Sequence, residues 1–252
     1  MMKKFAVAAT VATMVGMSSI CFAGFGLPKV GGAATVKSPA AATSSESKST
    51  VDTSDITSKQ AEVLKYLKGA MLAQVKAYQV VDEALGQSDP ELAQVAASLT
   101  GKSGTKEVKA AQSILAKRDK QLLSAEARKN IDKNKVQVDK LAAAIKTGKA
   151  YQQAANINYV VVATKVPAAL QEATSALKSA GSNPMALGKI NGAIATFKLG
   201  SEIASNSKAA ISKYNDAVDA MKSDYGVSDE AVKNAKVADA ESIANECLNI
   251  VK

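Results

Sequence analysis

Apolar side chains recur every three or four positions from residue 55 onward, and this spacing places them on one side of an α-helix. In the first such segment, Ser54 or Asp55 is suited to cap the beginning and Gly86 to end it. The repeating positions are Leu64, Leu67, Met71, Val75, Tyr78, Val81 and Leu85. The predicted helix would be about 45 Å long, because each residue adds about 1.5 Å along the axis.

Capping residues divide the rest of the chain into further helices. In two places a capping residue stands directly before a proline, at Asp89–Pro90 and at Asn183–Pro184, and proline favours the first helical position. We predict helix caps at Asp89, Thr105, Asn183 and Ser228. We predict helix ends at Gly101, Gly181 and Gly226. The segment after Ser228 is then a single C-terminal helix.

A coiled-coil spacing of three and four predicts one long helix from Ser124. Its repeating positions are Ala127, Ile131, Asn134, Val138, Leu141 and Ile145, resuming with Ala155, Tyr159, Val162 and Val166. Gly148 would either break this helix or only weaken it. Pro167 should kink it, because proline lacks an N–H and its ring clashes with the preceding turn.

These segments predict an all-α fold, an elongated antiparallel bundle of five to seven long helices over residues 55–252. The connections between the predicted helices are short, which favours antiparallel neighbours. Gly188 and Gly192 are four residues apart, and we expect them to allow close helix packing inside the bundle. No segment longer than the six residues from Ile157 to Val162 alternates as a strand would.

The N-terminus has the three parts of a secretory signal peptide over residues 1–23. Lys3 and Lys4 precede an apolar run that is too short to span a bilayer, and small residues lead to Ala23. Cleavage after Ala23 would give an exported chain, periplasmic or secreted. Lipid anchoring through Cys21 is the alternative, although the residues before it fit a lipoprotein site poorly. Residues 24–54 are rich in Gly, Ala, Ser and Thr, which predicts a disordered tether.

Composition argues against several kinds of active site. The chain has no histidine, which removes the commonest general base and the commonest metal ligand. Cys247 is the single cysteine after the signal peptide, so we expect it to be buried; pairing between the chains of a homodimer is the alternative. We therefore expect no enzyme, no metal and no cofactor.

Positive charge is concentrated in residues 102–149, which hold thirteen basic and five acidic residues. Five lysines fall close to one helical face, away from the apolar positions of the same segment, and form a candidate anion-binding face. They are Lys102, Lys106, Lys109, Lys117 and Lys120. Anionic lipid, lipopolysaccharide or another polyanion is the expected partner. A solvated face that only keeps the protein soluble is the alternative. Nucleic acid is disfavoured, because no aromatic residues alternate with these lysines to stack on bases.

The sequence thus predicts a non-enzymatic exported protein that binds a surface polymer, an anionic membrane face or a partner protein. The alternative is a membrane-active protein that inserts the apolar segment 154–170, which ordinary core packing would explain equally well. No motif in the chain selects a family, a specific ligand or an oligomeric state.

Overall fold

All regular structure in residues 52–102 and 104–251, which the computed structural model describes, is helical. The helices are α1 (Ser54–Ala84), α2 (Pro90–Thr100), α3 (Thr105–Leu123), α4 (Ala125–Lys129), α5 (Val138–Ser179), α6 (Pro184–Tyr225), α7 (Asp229–Asn234) and α8 (Ala240–Ile250), with a 3₁₀ turn at Lys133–Lys135. The predicted all-α class is confirmed. The expectation of five to seven long helices is wrong, because five of these eight helices have fewer than 20 residues.

The predicted signal peptide and all but the last residues of the predicted tether lie outside the described residues. Ser54 is the first residue of α1 rather than the last of the tether, and Thr53 occupies the N-cap position.

The three longest helices, α1, α5 and α6, pack against one another and form the three-helix core. Contacts between α1 and α5 run in opposite order along the two helices. Lys59 near the start of α1 pairs with Glu172 near the end of α5. Farther along α1, Gln74 accepts a 2.8 Å hydrogen bond from Tyr159, earlier in α5. The two helices are therefore antiparallel.

Helices α5 and α6 are also antiparallel. Lys149 early in α5 lies 2.8 Å from Asp219 late in α6, and Val162 farther along α5 faces Gly200 earlier in α6. A Cβ atom at Gly200 would lie 3.2 Å from Val162 and 3.3 Å from Val63, so α6 lies close to both neighbours there.

Gly188 and Gly192 do not provide that close contact. A Cβ atom at Gly188 would meet nothing within 4 Å, and one at Gly192 would meet only the Gln60 amide, at 3.9 Å. Both glycines are exposed. The expectation that this pair packs inside the bundle is wrong, because the spacing fixes a common face but not the side of α6 that its neighbours cover.

Local capping follows the sequence at several predicted positions. The Asp89 side chain accepts hydrogen bonds from the Glu91 and Leu92 N–H groups, at 2.8 and 3.3 Å. Asn183 and Ser228 cap α6 and α7 in the same way. Gly226 ends α6 at a φ of 70°, a left-handed conformation that glycine adopts without strain.

Two helix boundaries differ from the predicted ones. Thr105 is the first residue of α3, and Gly104 is its N-cap; the Gly104 N–H donates to the Glu107 carboxylate over 2.7 Å. The predicted C-terminal helix is divided into α7 and α8, because Asp239 starts a new cap by accepting from the Ser242 N–H at 2.9 Å.

The predicted continuous helix from Ser124 is also wrong. Ser124 caps the short α4, and α5 starts only at Val138. Between them, the Asp132 side chain accepts a hydrogen bond from the Asn134 N–H, a local bond that competes with helix formation. From Val138 onward α5 is continuous through both Gly148 and Pro167, so Gly148 does not break the helix.

Candidate functional site

Four of the five candidate lysines lie on α3, and we call them the lysine face: Lys106, Lys109, Lys117 and Lys120. Successive helical residues are about 100° apart, so these four positions fall within about 80° of one another around the axis. All four are exposed. The fully or nearly buried residues of α3 are on the opposite side, at Val108, Ala111, Leu115 and Leu122. Lys102 is exposed in the turn before the helix.

Little in the described structure neutralises the lysine face. Lys117 pairs with Glu91 of α2 at 2.7 Å, where both side chains are about half exposed. No described residue forms a hydrogen bond or ion pair with Lys106, Lys109 or Lys120. Glu107 attracts Lys106 through space, and Asp89 attracts Lys117 in the same way.

The two acidic residues of α3 are directed elsewhere. Glu107 accepts the Gly104 N–H at the start of the helix, and this hydrogen bond, with the backbone around it, lowers the pKa of its carboxyl. Asp119 accepts a hydrogen bond from the Tyr78 hydroxyl of α1. Neither carboxylate lies among the lysines, which keeps the outer side of α3 positive.

Two buried polar pairs fix which side of α3 faces the core. One is the Tyr78–Asp119 hydrogen bond. The other is the ion pair between Arg118 of α3 and Asp82 of α1, whose side chains are 11% and 3% exposed. Burial raises the pKa of Asp82, and the Arg118 guanidinium opposes this shift. Neither pair was among the candidate sites predicted from the sequence. The position of Asp82 next to the apolar stripe of α1 was the one indication in the sequence that this carboxylate is buried.

Other basic residues of segment 102–149 stabilise the fold. Arg128 is buried; its guanidinium lies 2.6 Å from Asp224 and 2.7 Å from the Leu122 carbonyl. Lys146 donates to the Lys233 and Ala235 carbonyls, each at 2.6 Å, at the end of α7. Segment 102–149 is divided between two parts of the fold: α3 packs on α1, α2 and α6, whereas α5 packs chiefly on α1 and α6.

The apolar segment 154–170 belongs to α5 and packs in the three-helix core. Its buried positions are Ala154, Ala155, Asn158, Tyr159, Val162, Val166 and Ala169. On its outer side Lys165 pairs with Glu62 of α1 at 2.9 Å. None of the helices described has an apolar stretch long enough to cross a membrane.

The described residues contain no group of three or more carboxylate, thiol or imidazole side chains that could hold a metal ion. Cys247 is fully buried in α8, as the sequence predicted, and burial raises the pKa of its thiol to about 11.

Comparison of the chain with protein-family models, with curated proteins and with solved structures gives no match.

Proposed function

We propose that this protein is an exported, elongated antiparallel helical bundle that binds polyanionic surfaces through Lys102 and the lysine face of α3. The single observation that supports this most is the exposure of four lysines along about 21 Å of one helix, opposite its buried side. Export is inferred from the signal-peptide pattern of residues 1–23, with the mature chain beginning at Gly24 in the periplasm or the medium.

Binding of this kind needs no pocket. A lysine near an anionic surface contributes about 1 kcal/mol, so five contribute about 5 kcal/mol and give a dissociation constant in the tenths of millimolar. A polymer or membrane that meets several copies binds more tightly through multivalency. Ser113 lies among the lysines around the helix axis, and Ala110 and Ala116 lie at the two edges of the lysine face; all three are small and exposed. This composition favours adsorption rather than insertion of apolar side chains.

The test measures adsorption at low salt to lipopolysaccharide and to phosphatidylcholine vesicles with and without phosphatidylglycerol. It uses protein recovered after export, whose first residue we expect to be Gly24 rather than a lipid-bearing Cys21. One variant changes the candidate face to Gln at Lys102, Lys106, Lys109, Lys117 and Lys120. The matched control makes the same changes at five exposed lysines spread over α5, α6 and the segment after α7: Lys178, Lys189, Lys198, Lys208 and Lys236.

We expect the wild type and the control variant to adsorb to the anionic probes and the α3 variant to lose most of its binding. Adsorption should weaken steeply with salt, because exposed charges are screened over about 8 Å at physiological ionic strength. Equal losses in the two variants would mean that only net charge matters. No adsorption of the wild type at low salt would leave the lysines as a solvated face.

Dye release from the same vesicles distinguishes the proposed adsorption from the alternative, membrane-active function. A protein that only adsorbs should leave the vesicles intact, whereas a membrane-active protein that opens its core and inserts α5 should release the dye. Binding to a partner protein and homodimer formation stay predictions from the sequence.

A further inference from the structure

A cavity of about 150 Å³ lies between α1, α3 and α6, on the inner side of the helix that carries the lysine face. Met71, Leu115 and Ile203 supply apolar wall, and Tyr159 of α5 lies at the same cavity. Ala116 and Asn206 are exposed members of the wall, which gives the cavity a route to solvent. An apolar cavity of about this volume admits a molecule the size of benzene, so there is room for about six non-hydrogen atoms.

Hydrogen-bond acceptors are concentrated in this cavity. The Asp119 carboxylate lies in its wall, and its one described hydrogen bond comes from the Tyr78 hydroxyl to a single oxygen. The Gln74 side chain, 7% exposed, accepts from the Tyr159 hydroxyl at 2.8 Å, and a carbonyl oxygen has a second lone pair. Asn206 adds another amide. These oxygens remain able to accept hydrogen bonds from a guest.

No described cation forms a hydrogen bond or ion pair with the Asp119 carboxylate. Arg118, next to Asp119 in the chain, is directed to Asp82. The one described cation that acts on Asp119 is Lys213, which is exposed and forms no hydrogen bond with it. A carboxylate removed from water is stabilised strongly by a hydrogen-bonded cation. Consistently, burial is the main cause of a raised Asp119 pKa.

We propose that this cavity binds a small primary ammonium compound with a short hydrocarbon tail. The ammonium group donates to Asp119 and to the amide oxygens of Gln74 and Asn206, which matches its three N–H donors. The tail packs against Met71, Leu115 and Ile203. This site is separate from the lysine face, which repels cations and attracts anions.

Three probes of nearly equal size test the proposal: butylammonium, 1-butanol and butyrate. Their affinities for the full mature chain are measured by calorimetry and by chemical-shift changes at α3 and α6 backbone amides. We expect butylammonium to bind at least about tenfold more tightly than butanol, because a charge-assisted hydrogen bond is about twice as strong as a neutral one. Butyrate should not bind detectably.

Asp119→Asn keeps the size of the side chain and an acceptor for Tyr78 but removes the charge. Its affinity for butylammonium should fall at least about tenfold, to that of butanol. The matched control is Asp216→Asn, at an exposed position of α6 away from the cavity, and it should bind like the wild type. The five-lysine α3 variant should also keep amine binding, which separates this site from the proposed function.

Equal affinity for butylammonium and butanol would make the cavity an apolar hole and overturn the proposal. So would unchanged amine binding in Asp119→Asn, or no amine binding to the wild type at any concentration reached. Far-UV circular dichroism of each variant verifies that its helices are intact.

Discussion

Replacing Gly148 by alanine should destabilise the protein, although alanine favours helices more than glycine does. Gly148 lies in the interior of α5, and a Cβ atom added there would overlap the Tyr214 hydroxyl oxygen and lie 3.3 Å from the Ala77 carbonyl oxygen. Tyr214 is 1% exposed and donates a 2.8 Å hydrogen bond to that same carbonyl. It also meets Tyr78 edge to face, with ring centroids 5.0 Å apart. The tyrosine ring therefore has little room to retreat.

Three contributions set the size of the effect. Forcing one extra methyl group into a packed core costs about 1–3 kcal/mol. If Tyr214 moves away, its hydroxyl and the Ala77 carbonyl lose each other as partners, which costs about 1–3 kcal/mol more. The better helix propensity of alanine returns about 1 kcal/mol. We expect Gly148→Ala to lower the free energy of unfolding by about 3 kcal/mol.

Urea unfolding followed by circular dichroism measures this change. The matched control is Gly188→Ala, in the interior of α6, where the new methyl group meets nothing within 4 Å. That variant should gain up to about 1 kcal/mol from helix propensity alone. In a Tyr214→Phe background the clashing oxygen is gone, so Gly148→Ala should cost much less there than in the wild type. A neutral or stabilising Gly148→Ala, or the same cost in both backgrounds, would refute the described contact between Tyr214, Gly148 and Ala77.

Two further predictions follow from the ionisable groups. Burial raises the Asp119 pKa above 3.8, so the folded state binds its proton more tightly than the unfolded state and wild-type stability falls as the pH rises through this window. Asp119→Asn has no carboxyl group to titrate and should not lose stability in this pH range. The difference in unfolding free energy between Asp119→Asn and the wild type should therefore shift in favour of the variant as the pH rises above 3.8. A difference that does not change with pH would contradict this prediction. The Cys247 thiol, with a pKa of about 11, should resist iodoacetamide at neutral pH until urea is added; rapid alkylation, or a disulfide-linked dimer on a non-reducing gel, would show an accessible thiol.

The sequence predicted those features that depend on short-range interactions. The predicted N-caps at Asp89, Asn183 and Ser228 are confirmed. Each side chain accepts hydrogen bonds from backbone N–H groups two or three residues away. Gly226 ends α6 because the left-handed conformation is required at that residue itself. Six of the seven apolar positions predicted for α1 are buried, which spacing within one helix is enough to predict. None of these features needs knowledge of a distant residue.

Two of the failed predictions also involve distant residues. The helix expected from Ser124 is interrupted before Val138, where the Gln137 N–H donates to the Ala84 carbonyl at the end of α1, 2.9 Å away. The division between α7 and α8 is stabilised in a similar way by Lys146, whose ammonium group binds two carbonyls near the end of α7. The spacing of residues within either segment gives no indication of these partners.

The outer side of α3 could be predicted from the sequence, whereas the contacts of its inner side could not. Exposure of the lysine face follows from helical spacing and the apolar positions opposite. The inner contacts of Arg118 and Asp119 could not be predicted, because they depend on which helix covers α3. Yet these contacts make the lysine face a fixed surface: separating Asp82 from Arg118 would leave a charge buried without a partner, at a cost of about 3–5 kcal/mol. A rotation of α3 that turned its lysines toward the core would incur this cost, so the buried pair maintains the outward orientation of the proposed anion-binding residues.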